Sequence, residues 1–87
     1  MENLLEKLVA EGIVQKGIYS SAFTIGAPGT YLVVKDHKYG VIGNDGKVLI
    51  GCRYECISQQ NDGTYQGIRR AGKYFATDTF DSKFNYV

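Results

Sequence analysis

The chain has 87 residues and a net charge of +1, with seven Tyr and four Phe but no Trp. That length makes one domain with a small core, burying roughly 60–65% of the surface its unfolded form exposes. The ten basic residues are spread along both halves, which argues against nucleic acid as a partner, and no apolar run approaches the ~20 residues of a membrane span. The first residues, Met-Glu-Asn-Leu-Leu-Glu-Lys, are acidic where a secretory signal would be positive. Two cysteines, Cys52 and Cys56, are too few for a disulfide scaffold. The expected setting is therefore cytoplasmic, with reduced thiols.

Residues 3–11 read as a short helix. Asn3 and Glu6 have the spacing of a capping box, and Leu4, Leu5, Leu8 and Val9 fall on one stripe. Gly12 suits the left-handed residue that ends a helix. At about two and a half turns, such a helix needs a surface to lie on.

From Gly12 onward the pattern becomes strands and turns. Residues 13–19 and 22–25 are short strand candidates, and Ala27-Pro28-Gly29 is a turn. Residues 31–35 form the most β-prone stretch. Asp36-His37 turns into residues 39–42, and Gly43-Asn44-Asp45-Gly46 is a hairpin signal because its residues tolerate positive φ. Residues 47–50 return. Further strands are expected over 53–58, 64–70, 73–77 and 83–87, separated by turns at 61–63, 71–72 and 78–81. On the last strand Phe84 and Tyr86 would share a side.

A repeat runs through this layout. Tyr19, Lys38 and Tyr39 recur 35 residues later as Tyr54, Lys73 and Tyr74, while Gly29-Thr30-Tyr31 recurs after 34 as Gly63-Thr64-Tyr65. The slip is what a change of loop length between two copies of one unit leaves. A first β repeat over about 17–52 and a second, degenerate one over about 53–87 follow. Tyr19/Tyr54 and Tyr39/Tyr74 would then be equivalent core rings. The fold expected is mainly β: an antiparallel meander or small barrel of about six to eight short strands in two related halves, with one N-terminal helix.

The stretch from Lys38 resembles the WG repeat, a bacterial β repeat. Tyr39-Gly40 occupies the defining dipeptide, followed by Val41-Ile42, the Asp45-Gly46-Lys47 turn, the apolar pair Leu49-Ile50 and the closing Tyr54. Ile57, Gly63, Tyr65 and Ile68 look like the rest of the unit. Tyr39 replaces the commoner Trp and Gly51 stands where Pro is frequent. Tyr74-Phe75 lacks the Gly, and residues 78–81 lack the Asp-Gly-Lys turn. The resemblance covers roughly residues 17–80. It implies a β-rich interaction module, and the family offers no catalytic residues.

Candidate chemistry is sparse. His37, the only histidine, lies at a turn tip with no nucleophile beside it, and its plain reading is an exposed turn residue. Cys52 and Cys56, four apart in a predicted strand region, would sit about 13 Å apart if it is continuous and read as small buried hydrophobes. With one histidine they fall short of a zinc site. The glycines match no phosphate-binding loop. The one local cationic patch is Arg69, Arg70 and Lys73, joined through the meander by Arg53 and Tyr65. It would hold an acidic surface or a phosphate, or it is a solvated strand end that discourages aggregation.

The expected function is a non-enzymatic protein-binding module, such as a stand-alone bacterial or mobile-element inhibitor or adaptor, with no catalytic residue, cofactor or metal. The alternative is a binder of a small anionic ligand such as a nucleotide, through Arg69, Arg70, Lys73 and nearby Tyr. A small enzyme using His37 or a thiol ranks last. Self-association would use a sheet edge or a Phe80/Phe84/Tyr86 surface.

Overall fold

The computed structural model describes residues 3–25 and 28–87. Its elements in chain order are α1 (Leu4–Ala10), β1 (Ser21–Thr24), β2 (Thr30–Lys35), β3 (Lys38–Gly43), β4 (Val48–Tyr54), β5 (Cys56–Gln59), β6 (Tyr65–Ala71) and β7 (Tyr74–Phe80). The strands are antiparallel and form two sheets, β1-β2-β3-β4 and β5-β6-β7. The molecule is thus mainly β, a meander in two halves with one N-terminal helix.

The helix forms where its cap is. The Asn3 side chain accepts the Glu6 backbone N–H at 2.8 Å, and Gly12 follows the last turn at φ +77°. Its apolar stripe packs on one face of the first sheet. There Leu8, Val14, Ala22, Val33 and Ile42 are buried, with Leu4, Leu5, Val9, Tyr19 and Tyr31 around them. The opposite face of that sheet meets the second sheet. Ile25, Val41, Ile50, Tyr54, Ile57, Tyr65, Phe80 and Phe84 make that core. The order of layers is therefore helix, first sheet, second sheet.

Glu55 is the corner between sheets. The strand expected over 53–58 breaks there: β4 ends at Tyr54 and β5 starts at Cys56 in the other sheet. The Glu55 N–H donates to the Ile68 carbonyl at 2.6 Å, and its carboxylate pairs with Lys38 at the start of β3. The corner carries Tyr54 from the first sheet into the second. Its ring lies over Gly67, where a Cβ would come within 2.6 Å of the ring carbon Cδ1. Gly67 thus allows the close approach of the two sheets.

Gly40 plays the same part between β3 and β4. Tyr39 pairs with Tyr54 and Val41 with Ile50, so Gly40 alone faces residues 51–53. A Cβ there would lie 2.6 Å from the Ile50 carbonyl oxygen and 2.8 Å from the Cys52 Sγ. The glycine of the Tyr-Gly dipeptide thus accommodates a bulge in its neighbour.

Several expected elements differ. Residues 13–19 are irregular. The Ile13 and Val14 N–H groups both donate to the Leu8 carbonyl, and Gly17 turns the chain at φ +88°. With turns at both ends, too few residues remain to make a strand, and Val14 serves as a buried plug. Ala27 of the expected turn lies outside the described residues, while Pro28 and Gly29 are in a turn. The later turn spans Gly72 and Lys73, because Ala71 still pairs with Tyr74. β7 runs through the expected turn at 78–81, since Asp78 is needed on the sheet's inner face opposite Gly67. Residues 83–87 make no strand: Phe84 is left-handed at φ +67°, and only Tyr86 bridges back to Phe80.

The repeat appears as topology. Two three-stranded meanders, β1–β3 and β5–β7, begin 35 residues apart, at Ser21 and Cys56. Their registers differ. Tyr31 faces Ile42 in the first copy, whereas Tyr65 faces Phe80 in the second. The tyrosine stations consequently occupy unlike surroundings. Tyr54 is fully buried and Tyr19 half-buried; Tyr39 packs against the inter-sheet core while Tyr74 is 77% exposed. The expectation of equivalent rings is corrected.

Candidate functional site

Strand alternation decides what the cationic segment can do. On β6, Tyr65, Gly67 and Arg69 lie on the inner face, and Gln66, Ile68 and Arg70 on the outer. Arg69 and Arg70 therefore point to opposite sides. Tyr65 is buried against Phe84 at 4.5 Å between ring centroids, with its hydroxyl 3.5 Å from the Gln59 side-chain amide. Arg53, exposed on β4, faces neither Arg70 nor Lys73 across any strand pair. The five expected residues, Arg53, Tyr65, Arg69, Arg70 and Lys73, do not form one patch.

Arg69 belongs to a structural network. Its Nε donates to Asp78 Oδ2 at 2.9 Å, and the Tyr54 hydroxyl donates to the same oxygen at 2.8 Å. The Tyr86 hydroxyl stands 3.3 Å from that of Tyr54. The Tyr54 hydrogen bond and then the Arg69 ion pair hold the Asp78 carboxyl below the usual carboxylate range, aided by the charge of Arg53. Burial, then the Tyr86 and Asp78 hydrogen bonds, push the Tyr54 phenol far up. A phenol so held stays protonated and serves as a donor. The network seals the seam where the sheets meet.

The thiols lie apart. Cys52 is half-buried in the first sheet and Cys56 exposed in the second, both free, which corrects the reading of two small buried hydrophobes on one sheet face. Cys52 borders a cleft of about 320 Å³ with Tyr19, Lys35, Asp36, Val48, Ile50 and Gly51. Burial raises the Cys52 thiol, and the nearby Lys35 charge opposes this only in part. Such a thiol is mostly protonated at neutral pH and is a poor nucleophile. His37 is exposed at a two-residue turn with Asp36, both at positive φ. Among the described residues no three His, Cys, Asp or Glu side chains gather to hold a metal ion. No described helix is long and apolar enough to cross a membrane.

What stands out instead is the end of the β6–β7 hairpin. Tyr74 is 77% exposed and Phe75 68%, the two most exposed aromatic rings among the described residues. Adjacent in a strand, they project to opposite faces. Arg70 sits directly across from Phe75, and its Nε donates to the Gly72 carbonyl at 3.3 Å. Lys73 is at the turn. Neither Arg70 nor Lys73 meets a carboxylate among the described residues. Sequence reading placed Tyr74 in the core by analogy with Tyr39. The Tyr74-Phe75 doublet signals that one of the two rings, Phe75, faces away from the core, whereas Tyr74 lies on the same face of β7 as Asp78 and Phe80 but beyond the buried cluster.

The Phe80/Phe84/Tyr86 surface expected for self-association is not available as such. Phe80 and Phe84 are buried, and Tyr86 lies over Phe80 with centroids 4.9 Å apart. Comparison with protein-family profiles, with curated proteins and with solved structures found no match.

Proposed function

We propose that this chain is a non-enzymatic protein-interaction module whose contact surface is the end of the β6–β7 hairpin. The observation that carries this is the pair Tyr74 and Phe75, held out on a regular hairpin and flanked by Arg70 and Lys73. Contact surfaces are enriched in aromatic residues and Arg, and a few such anchors supply most of the binding energy. A rigid two-stranded support lowers the entropy lost on docking. The resemblance of residues 17–80 to the WG repeat fits this reading, and a role as a small cytoplasmic inhibitor or adaptor belongs to the same proposal.

The anionic-ligand alternative loses its components. Arg69 is engaged by Asp78 and Tyr65 is buried, so only Arg70 and Lys73 remain of the residues named for it. Catalysis by His37 or a thiol finds no support in the protonated Cys52 or the exposed turn histidine.

The test is site-specific photocrosslinking in cells that produce the protein. A benzophenone side chain at Phe75 should give one discrete adduct, and Tyr74→Ala should cut its yield at least tenfold. A crosslinker at Ser58, on the outer face of β5, should give none. Equal adducts at both positions, or indifference to Tyr74→Ala, would contradict the assignment.

A further inference from the structure

We infer that the free edge of β7 receives an extended acidic peptide segment as an added antiparallel strand; this rests on the hairpin being the contact surface. Each sheet has two edges, and three of the four are blunted. β1 has four residues and adjoins α1; β5 has four residues beside the Glu55 corner. β4 is interrupted by register shifts at two points. Short and bulged edges resist strand addition. β7 differs: seven residues pair with β6 in unbroken register. Its only charged residue, Asp78, is committed to Arg69 and Tyr54 on the inner face.

The tail shows which backbone groups face out. Val87 N–H donates to the Thr79 carbonyl at 3.1 Å, and Asp81 N–H to the Asn85 carbonyl at 2.9 Å. Alternation along an edge strand then places the N–H and C=O groups of Phe75 and Thr77 outward as well. No described strand pairs with them. The tail has already taken the far end of this edge, leaving the stretch from Tyr74 to Asp78.

The same tail obstructs one two-fold pairing of this edge with a second copy of the chain. In a two-fold pairing of β7 strands centred on Ala76, Lys73 of one copy falls opposite Thr79 of the other. Val87 already sits there. A separate peptide avoids this collision. Its charge follows from Lys73 at the end of the open edge and Arg70 two strand spacings, about 10 Å, from the added backbone. Carboxylates on the added strand would lie within reach of both. Main-chain pairing supplies affinity in this mode, and side chains supply specificity.

The probe is a capped hexapeptide of alternating glutamate and valine, titrated into the full chain and followed by backbone amide shifts. It should bind at least tenfold more tightly than its lysine–valine counterpart. Thr77→Pro removes an outward N–H that no neighbouring strand uses, and should weaken binding at least tenfold. The glutamate peptide with alternate amides N-methylated should lose binding equally, which keeps the test valid if that variant folds poorly. Arg70→Glu with Lys73→Glu should invert the charge preference. Equal binding of both peptides, no binding of either, or indifference to both Thr77→Pro and N-methylation would overturn strand addition. If crosslinking at Phe75 still depended on Tyr74, the contact surface would stand and only the mode would fall. Dimerisation through β7, seen as a concentration-dependent mass that Thr77→Pro abolishes, would also refute it.

Discussion

Tyr54 ties the first sheet to the second. Its ring packs edge-on to Phe80 at 5.8 Å, lies over Gly67, and its hydroxyl reaches Asp78. Gly67→Ala should destabilise the fold by about 1–3 kcal/mol in urea unfolding, because a buried ring cannot withdraw from the added methyl. A cost below a few tenths would mean that the sheets are less tightly apposed. Asp78 contributes on the acid side. Since Tyr54 and Arg69 hold its carboxyl low when folded, its contribution is complete above the unfolded value near pH 4 and is lost as pH falls through the folded one. Asp78→Asn should lower stability at pH 7 and flatten the decline below pH 4. The decline persists in part through Asp62, held low by the Thr64 hydroxyl, and Asp81, held low by the Asn85 N–H. An unchanged acid slope would contradict this. None of these partnerships was legible in the sequence: Tyr54 reaches Asp78 only through the corner at Glu55, and the Arg69–Asp78 pair needs Asp78 inside β7, where the residue types read as a turn.

Elements were legible wherever local chemistry was decisive. The cap at Asn3, Gly12 after the helix and the Asp45-Gly46 turn all stand as read, because each depends on a few consecutive residues. Asp36 and His37 form the two-residue turn expected between β2 and β3, at φ +52° and +64°. That conformation strains residues with a Cβ, so His37→Gly should raise stability by up to about 1 kcal/mol, seen as a higher melting temperature. A fall would show that the imidazole makes contacts of its own. Elements failed where tertiary demands intervene. Asp78 looks like a turn residue by type, yet the seam keeps it in β7. Residues 83–87 alternate like a strand, yet Phe84 turns left-handed and covers Tyr65.

For the molecule as a whole, the 35-residue period foretold two related meanders and gave the class correctly. It misassigned side-chain roles because the second hairpin is in a different register. That shift leaves Tyr74 and Phe75 outside the core and β7 as a long regular edge. The proposed contact surface thus coincides with the point where the two copies diverge: the same phrase that packs Tyr39 in one half exposes Tyr74 in the other. Amide hydrogen exchange with and without the glutamate–valine peptide tests this most directly. Phe75 and Thr77 should exchange rapidly in the free protein and slow at least tenfold on binding, with the β1 and β4 edges unchanged. Slow exchange at Phe75 and Thr77 before any peptide is added, or new protection on β4 instead, would contradict it.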